Sequence, residues 1–155
     1  MRIISIRAGL PLLVALFALA GVAAAQSDQE KKLYEAAKAE ARLTWYTAQF
    51  DQALATKVGS AFTQKYPGIQ VNVIKATAQV GFQRLLQDIK AGQIQSDVYS
   101  TTDVSQFVYL KEHGNLVKYT PEGSKKIVKA FQDIDPEGFY YVTWASLACV
   151  FVRSR

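Results

Sequence analysis

Two stretches of the sequence, LTWYTAQFD at residues 43–51 and VIKATAQVG at residues 73–81, decide the fold. Each begins with a run of β-branched and aromatic residues, which is typical of a β-strand. Each then passes through the tripeptide Thr-Ala-Gln into a segment with a helical spacing of apolar residues. The same junction therefore occurs twice, and repeated strand–helix units favour a parallel sheet covered by helices.

The pattern continues on both sides of these stretches. Ser27 and Glu30 have the spacing of a capping box and open a helix that we expect to reach residue 42. Helix and strand then alternate three times, which predicts an α/β lobe with a mainly parallel sheet and helices on both faces. The other predicted helices cover residues 51–66, 82–92 and 103–114, and the predicted strands cover residues 43–46, 69–74 and 97–100.

Local signals mark the ends of these elements. Asp51 and Asp103 are expected helix N-caps, and Gly114 is an expected stop. A further helix is expected over residues 125–131 and a turn over residues 135–138. The helix over residues 51–66 carries apolar residues at helical spacing, namely Leu54, Val58, Ala61, Phe62 and Tyr66.

The first 25 residues have the composition of a secretory signal peptide. Arg2 and Arg7 make a positive start, and residues 9–22 are uncharged and mostly apolar. Ala23-Ala24-Ala25 then supplies the small residues of a cleavage site. The apolar run is shorter than the about 20 residues of a membrane-spanning helix. We therefore expect cleavage before Gln26 and a periplasmic protein, with a membrane anchor as the alternative.

Charge and cysteine content exclude several classes of function. The chain carries 18 Lys and Arg against 13 Asp and Glu, and two of the arginines lie in the expected leader. The remaining positive charge is spread along the chain, unlike the basic patch of a nucleic-acid-binding domain. Cys149 is the only cysteine and His113 the only histidine. Neither a disulfide within one chain nor a four-ligand zinc site is expected, and no cofactor is predicted.

Three short polar segments follow the predicted strands. In an open parallel sheet, ligands bind beyond the carboxyl ends of the strands. Each segment also precedes a helix N-terminus, which favours anions. Their small, mostly uncharged side chains suit holding a small polar solute, although they also suit plain caps and turns. The candidate binding residues are Thr47, Ala48, Gln49, Thr77, Gln79, Ser100, Thr101, Thr102 and Asp103.

A secreted hydrolase is a weaker alternative. General acid–base catalysis needs a positioned titrating partner, and Asp103 with His113 is the only candidate pair. The two residues fall at opposite ends of one predicted helix, so we expect them not to meet. His113 directly before Gly114 is instead typical of a helix C-terminus. We therefore predict a binding protein and not an enzyme.

Four phrases of the sequence resemble, in order and spacing, the bacterial extracellular solute-binding proteins of ABC importers. They are LYEAAKAEARLTWYTAQ, FTQKYPGIQVNVIKA, FQRLLQDIKAGQIQSDVYSTTD and LKEHGNLVKYTPEG, within residues 33–141. The branch that they resemble most contains the ferric-iron-binding proteins. The resemblance implies a two-lobed periplasmic protein of the type II periplasmic-binding fold, which delivers its solute to an inner-membrane permease. It also implies that the candidate residues belong to the N-terminal lobe's share of the ligand site.

Two features depart from that family. Its iron-binding members often carry His or Tyr after the first strand, where this chain has Gln49-Phe50-Asp51. A phosphonate, sugar phosphate, polyamine or other polar solute therefore stays open beside ferric iron. The family's chains are also much longer, so residues 26–155 are expected to form an incomplete N-terminal lobe without the second lobe.

The end of the chain carries a separate expectation. Residues 139–155 form an apolar tail that we place at the crossover between lobes, with one or two strands over residues 139–152. A complete protein of this family would be a monomer. A truncated or frameshifted product would expose this tail and associate, and as a remnant lobe it would bind little.

Overall fold

A computed structural model describes residues 27–142, which form an α/β lobe around a three-stranded parallel sheet. The strands are β1 (Arg42–Thr47), β2 (Gln70–Lys75) and β3 (Val98–Ser100), in the order β2-β1-β3. The helices are α1 (Asp28–Glu40), α2 (Gln52–Lys65), α3 (Ala78–Lys90), α4 (Val104–Glu112) and α5 (Lys129–Gln132), with a 3₁₀ helix at Glu122–Lys126. The expected signal peptide and the tail beyond residue 142 lie outside the described residues.

The central strand β1 aligns both neighbours in parallel register. Trp45 lies opposite Val73 on one side and Val98 on the other. The predicted strands and the first four helices are confirmed, with ends shifted by a few residues. The helix α1 stops at Glu40, earlier than expected, because Ala41 adopts a left-handed conformation with φ of 60°. That turn allows Arg42 to begin β1.

Helices cover both faces of the sheet, as predicted. The connections from β1 to β2 and from β2 to β3 run in opposite directions across the sheet, and right-handed crossovers then place α2 and α3 on opposite faces. Gly59 of α2 lies against Val71 and Val73. On the other face, the hydroxyl of Tyr46 donates a hydrogen bond to Asp88 of α3 over 3.0 Å.

The buried face of α2 is formed by small residues. The residues that the helix buries are Ala55 and Gly59. Leu54 is 45% exposed and Val58 is 43% exposed, although both belong to the apolar residues at helical spacing. Ala61 and Phe62 are exposed as well, whereas Tyr66 is half-buried. The two small residues let the helix backbone approach the sheet closely, and this packing outweighs the larger apolar area of the neighbouring face.

The close approach at Gly59 gives a testable prediction. A Cβ added there would lie 3.0 Å from Val73 Cγ2 and 3.2 Å from Val71 Cγ1. Valine side chains have stiff rotamers, so α2 must move away from the sheet to admit a larger residue. We expect Gly59→Val to lower the free energy of unfolding by about 1–3 kcal/mol in urea denaturation.

Gly123→Val is the matched control for this experiment. A Cβ at Gly123 would meet no heavy atom within 4 Å, so its effect should stay within about 0.5 kcal/mol. Equal losses for the two substitutions would contradict the close packing of α2.

Two further expectations need correction. The helix expected over residues 125–131 is divided into the 3₁₀ helix and α5, because Ile127 and Val128 are extended. Residues 139–142 form no strand within the described chain. The backbone N–H groups of Phe139 and Tyr140 both donate to the Asp135 carboxylate, over 2.7 and 3.0 Å, so they are not free for a ladder. The turn over residues 135–138 is confirmed.

Candidate functional site

The polar segments that follow β1 and β3 are joined at the carboxyl edge of the sheet. Ser100 Oγ donates a hydrogen bond to Thr47 Oγ1 over 3.0 Å. The Ala48 N–H donates to the Ser100 carbonyl, also over 3.0 Å. Gln49 Nε2 donates to the carbonyl oxygen of Thr101 over 3.3 Å. The two segments therefore form one continuous surface, as their positions after neighbouring strands predicted.

The segment that follows β2 adjoins this surface through α3. The Ala76 N–H donates to the Thr47 carbonyl over 3.0 Å, which brings the start of α3 beside the end of β1. Thr77 is the N-cap of α3, and Gln79 already lies in the first helical turn. The predicted loop over residues 77–79 is therefore shorter than expected. Both Thr77 and Gln79 are exposed at the helix N-terminus.

Two of the candidate threonines stabilise the loops from inside. Thr47 is 3% exposed and Thr101 is 5% exposed. Besides its contact with Ser100, Thr47 Oγ1 accepts a hydrogen bond from the Gln49 N–H over 3.4 Å. Thr101 Oγ1 accepts one from the Asp103 N–H over 3.2 Å. These hydroxyls hold the backbone of the two segments, as the turn-forming alternative for these positions expects.

Other candidates combine capping with exposure to solvent. Thr77 Oγ1 accepts from the Val80 N–H over 3.3 Å, and Asp103 Oδ1 accepts from the Ser105 N–H over 3.0 Å. A carboxylate and a hydroxyl have further lone pairs, so these caps can still contact a solute. Thr102 is exposed and Gln49 and Ser100 are half-buried. The exposed candidates are therefore Thr77, Gln79, Thr102 and Asp103, and Gln49 and Ser100 are partly accessible.

The structure adds two residues behind this surface that were not predicted as part of the site. Gln106 is buried, accepts a hydrogen bond from the Tyr99 hydroxyl and donates one to the Ala78 carbonyl over 3.3 Å. It thereby fixes the N-terminus of α4 against that of α3. Trp45 Nε1 donates to Ser100 Oγ over 2.8 Å and holds the end of β3 in the same way. The sequence does carry a signal for Gln106: it is a polar residue on an otherwise apolar helix face, three residues after the Asp103 cap.

The tyrosines beneath the surface are neutral donors at physiological pH. Burial raises the pKa of Tyr99, with a smaller contribution from the Asp103 carboxylate, although a hydrogen bond with Thr101 acts in the opposite direction. Burial also raises the pKa of Tyr46, together with the hydrogen bond to Asp88. Asp103 is the only acidic residue among the candidate binding residues.

A large groove runs beside this surface, along the edge of β3. Its volume is about 940 Å³, and Gln49, Ser100, Thr101 and Thr102 line it at the carboxyl end of the strand. The remaining walls come from α3, α4 and residues within 94–99, 115–121 and 139–142, and they are mainly apolar. The polar surface thus borders a mainly apolar groove.

Among the comparisons with known proteins, the matches are to solved structures. No protein-family model matches the chain, and no curated protein matches it. Ten chains of solved structures match. One of them is iron-bound HitA from Pseudomonas aeruginosa, with 25% sequence identity and a TM-score of 0.47. The match covers 58% of this chain and 28% of that chain, so this chain spans less than a third of the solved protein.

The candidate hydrolytic pair is not assembled. Asp103 caps the start of α4 and His113 caps its end, which separates them by the length of a nine-residue helix. His113 Nδ1 lies 2.8 Å from the Tyr109 carbonyl, and the imidazole stacks on the Tyr109 ring with centroids 4.0 Å apart. The prediction of His113 as a C-terminal helix residue is confirmed.

Neither metal-site nor membrane-span geometry occurs within residues 27–142. No group of three or more His, Cys, Asp or Glu side chains in this part of the chain is arranged to hold a metal ion. None of its helices has both the length and the hydrophobicity that crossing a bilayer requires.

Proposed function

We propose that this chain is a solute-binding lobe of the extracellular binding protein of an ABC importer. One observation carries the proposal: hydrogen bonds from Ala48 and Gln49 to the segment after β3 bring the strand-end segments into one surface. That surface lies where open parallel sheets bind ligands. The family phrases in the sequence support the same reading. On this proposal the protein binds and does not catalyse, works in the periplasm after removal of residues 1–25, and delivers its solute to an inner-membrane permease.

The chemistry of the surface favours a small polar or anionic solute. The exposed and half-buried side chains supply two amides and three hydroxyls, which donate and accept hydrogen bonds without a fixed charge. The first N–H groups of α3 have no partner inside the helix and attract negative charge. Ferric iron is included because of the resemblance to iron-binding proteins. For iron, Asp103 supplies the one hard anionic oxygen among the candidates, so a bound anion or a second lobe has to complete the coordination.

A binding assay with a matched pair of variants tests this proposal. The panel contains ferric citrate, inorganic phosphate, a phosphonate, a sugar phosphate and a polyamine. A solute present at 100 times its Kd should raise the melting temperature by about 10 °C. Gln79→Ala should reduce that shift and weaken binding about tenfold, because it removes one hydrogen bond to the solute.

Gln64→Ala is the control for Gln79→Ala. Gln64 is also an exposed glutamine on a helix, but it lies near the C-terminal end of α2, away from the strand ends. This variant should bind as tightly as the parent chain. The proposal fails if no member of the panel changes the melting temperature, or if the two variants weaken binding equally.

A further inference from the structure

A second pocket lies at the opposite end of the sheet from the candidate binding surface. It is lined by α1, the C-terminal end of α2 and residues 119–122, and its volume is about 490 Å³. Leu43 and Ile69 line it at the amino ends of β1 and β2, whereas the candidate surface follows the carboxyl ends of the strands. Pockets of this size hold small organic molecules. We call it the aromatic pocket, because its lining includes Tyr34, Phe62, Tyr66 and Tyr119.

The aromatic rings from α1 and α2 are held in place by their own contacts. The Tyr34 hydroxyl donates a hydrogen bond to the Pro67 carbonyl over 2.6 Å, and the Tyr66 hydroxyl donates to the Glu30 carboxylate. The ring centroids of Tyr34 and Tyr66 lie 5.5 Å apart, and those of Phe62 and Tyr66 lie 4.7 Å apart. Three rings from two helices therefore form one fixed aromatic wall, and the face of an aromatic ring attracts cations.

Two lysines already use this attraction. Lys65 Nζ lies 4.9 Å from the centroid of the Tyr66 ring and 2.8 Å from Glu30 Oε1. The hydrogen bond with Glu30 raises the pKa of Lys65, and the one with Tyr66 adds to the effect. Lys38 Nζ lies 5.2 Å from the centroid of the Tyr34 ring. Neither lysine lines the pocket, so each ammonium group approaches its ring from outside it.

The charged side chains of the pocket are acidic. Of the described residues that line it, Glu30 and Glu122 carry a charge and none is basic. Glu30 is paired with Lys65, whereas Glu122 accepts a hydrogen bond from the neutral Ser27 hydroxyl. An ammonium group that carries alkyl substituents loses less on entering an apolar site than one that donates hydrogen bonds. The rest of the lining favours such a cation, because it includes the aliphatic residues Leu33, Ala37, Leu43 and Ile69.

We propose that the aromatic pocket binds an alkylated ammonium compound, with its cationic group between the aromatic wall and Glu122. The alkyl groups then lie against the aliphatic residues. The ring of Tyr119, which is 48% exposed, supplies a further aromatic contact from the side of residues 119–122. This inference does not rest on the proposed transport function, because none of the residues that line the pocket belongs to the candidate binding surface.

Calorimetric titration of the full chain with tetramethylammonium tests the proposal. The matched probe is tert-butanol, which has a similar shape and no charge. Tetramethylammonium should bind to one site at least about tenfold more tightly than the alcohol, because the uncharged probe gains no attraction to the rings or to the carboxylates.

Two substitutions of exposed side chains locate the site. Tyr119→Ala should weaken the binding of tetramethylammonium about tenfold, because it removes one aromatic contact. Glu122→Gln should weaken it about threefold, since an exposed carboxylate contributes less. Tyr109→Ala is the control, because Tyr109 is an exposed tyrosine of α4 that does not line the pocket. This variant should bind tetramethylammonium as tightly as the parent chain.

Several results would overturn the proposal. They are equal affinities for tetramethylammonium and tert-butanol, no binding of tetramethylammonium up to about 10 mM, or equal effects of the substitutions at Tyr119 and Tyr109. Binding that is weakened by Gln79→Ala and not by Tyr119→Ala also overturns it, because the cation would then occupy the candidate binding surface. Failure of the solute panel, in contrast, would leave this result unchanged.

Discussion

Replacing Asp135 by alanine should lower the free energy of unfolding by about 3–5 kcal/mol. The side chain of Asp135 is 1% exposed and lies 2.6 Å from Lys111 Nζ of α4. Its other oxygen accepts the N–H groups of Phe139 and Tyr140. Removing the carboxylate leaves two backbone donors and an ammonium group without this partner, and a buried unpaired group loses its hydration without compensation. Urea denaturation measures the effect.

Two other substitutions separate the contribution of the Asp135 charge from those of its hydrogen bonds and of the neighbouring Glu137 carboxylate. Asp135→Asn keeps an oxygen for the backbone donors but removes the charge, so its loss should be smaller, at about 1–2 kcal/mol. Glu137→Gln removes the other carboxylate near Lys111, 2.7 Å away, but its side chain is 62% exposed. Its effect should be about 0–1 kcal/mol. If Glu137→Gln lowered the free energy of unfolding as much as Asp135→Ala, burial could not be the reason for the large effect at Asp135.

The same carboxylate predicts a dependence of stability on pH. Burial by itself raises the pKa of Asp135, but hydrogen bonds from Lys111 and from the Tyr140 and Phe139 N–H groups outweigh it, and the pKa is lowered below 3.8. A lowered pKa in the folded state contributes stability that is present above the unfolded pKa. This part of the stability should be lost as the pH falls below about 4. In Asp135→Asn this loss should be absent, which acid titration of both proteins can measure.

Tyr46→Ala should produce a loss of similar size, about 3–5 kcal/mol. Tyr46 is 1% exposed and stands in the central strand, where a cavity has neighbours on every side. The substitution also removes the hydroxyl that donates to Asp88 and the ring on which the Arg84 guanidinium lies at 5.1 Å. Urea denaturation should show the loss as a lower midpoint, with an unchanged dependence of the free energy of unfolding on urea concentration.

Tyr46→Phe is the control for the cavity. It retains the ring and removes only the hydroxyl, so its loss should be about 1 kcal/mol. Tyr109→Ala gives a second comparison, because Tyr109 is 41% exposed on α4 and should tolerate truncation better. Equal losses for Tyr46→Ala and Tyr109→Ala would be inconsistent with a core centred on β1.

Much of the fold was predictable because its signals are local. Ser27, Asp51, Thr77 and Asp103 each accept a hydrogen bond from a backbone N–H group at the start of the next helix. Such caps depend on neighbours two or three residues away, which the sequence displays directly. The alternation of strands and helices then limits the sheet to a parallel arrangement. The meeting of the strand-end segments follows from that arrangement alone.

The features that were missed depend on contacts between distant segments. The spacing of Leu54 and Val58 indicated a helix but not which face of α2 packs on the sheet, because the tight approach of Gly59 to Val71 becomes visible only once α2 lies there. Gln106 reaches Ala78, which is 28 residues away. Thr47 and Thr101 are polar residues of a type that often binds ligands, but their side chains lie inside the loops. Residue type indicated polarity at these positions, whereas packing decided which hydroxyls reach solvent.

The sheet order has a consequence for the time course of folding. Of the described strands, β1 is synthesised first and lies in the middle of the sheet, so it needs a later partner on each side. Gln70, the partner of Arg42 in β2, follows it by 28 residues, whereas Val98, the partner of Trp45 in β3, follows it by 53 residues. Contacts between distant residues form slowly. An emerging chain therefore holds an aromatic strand, still open along one side, until the third strand arrives, and a holding chaperone that binds extended apolar segments should protect it during that interval.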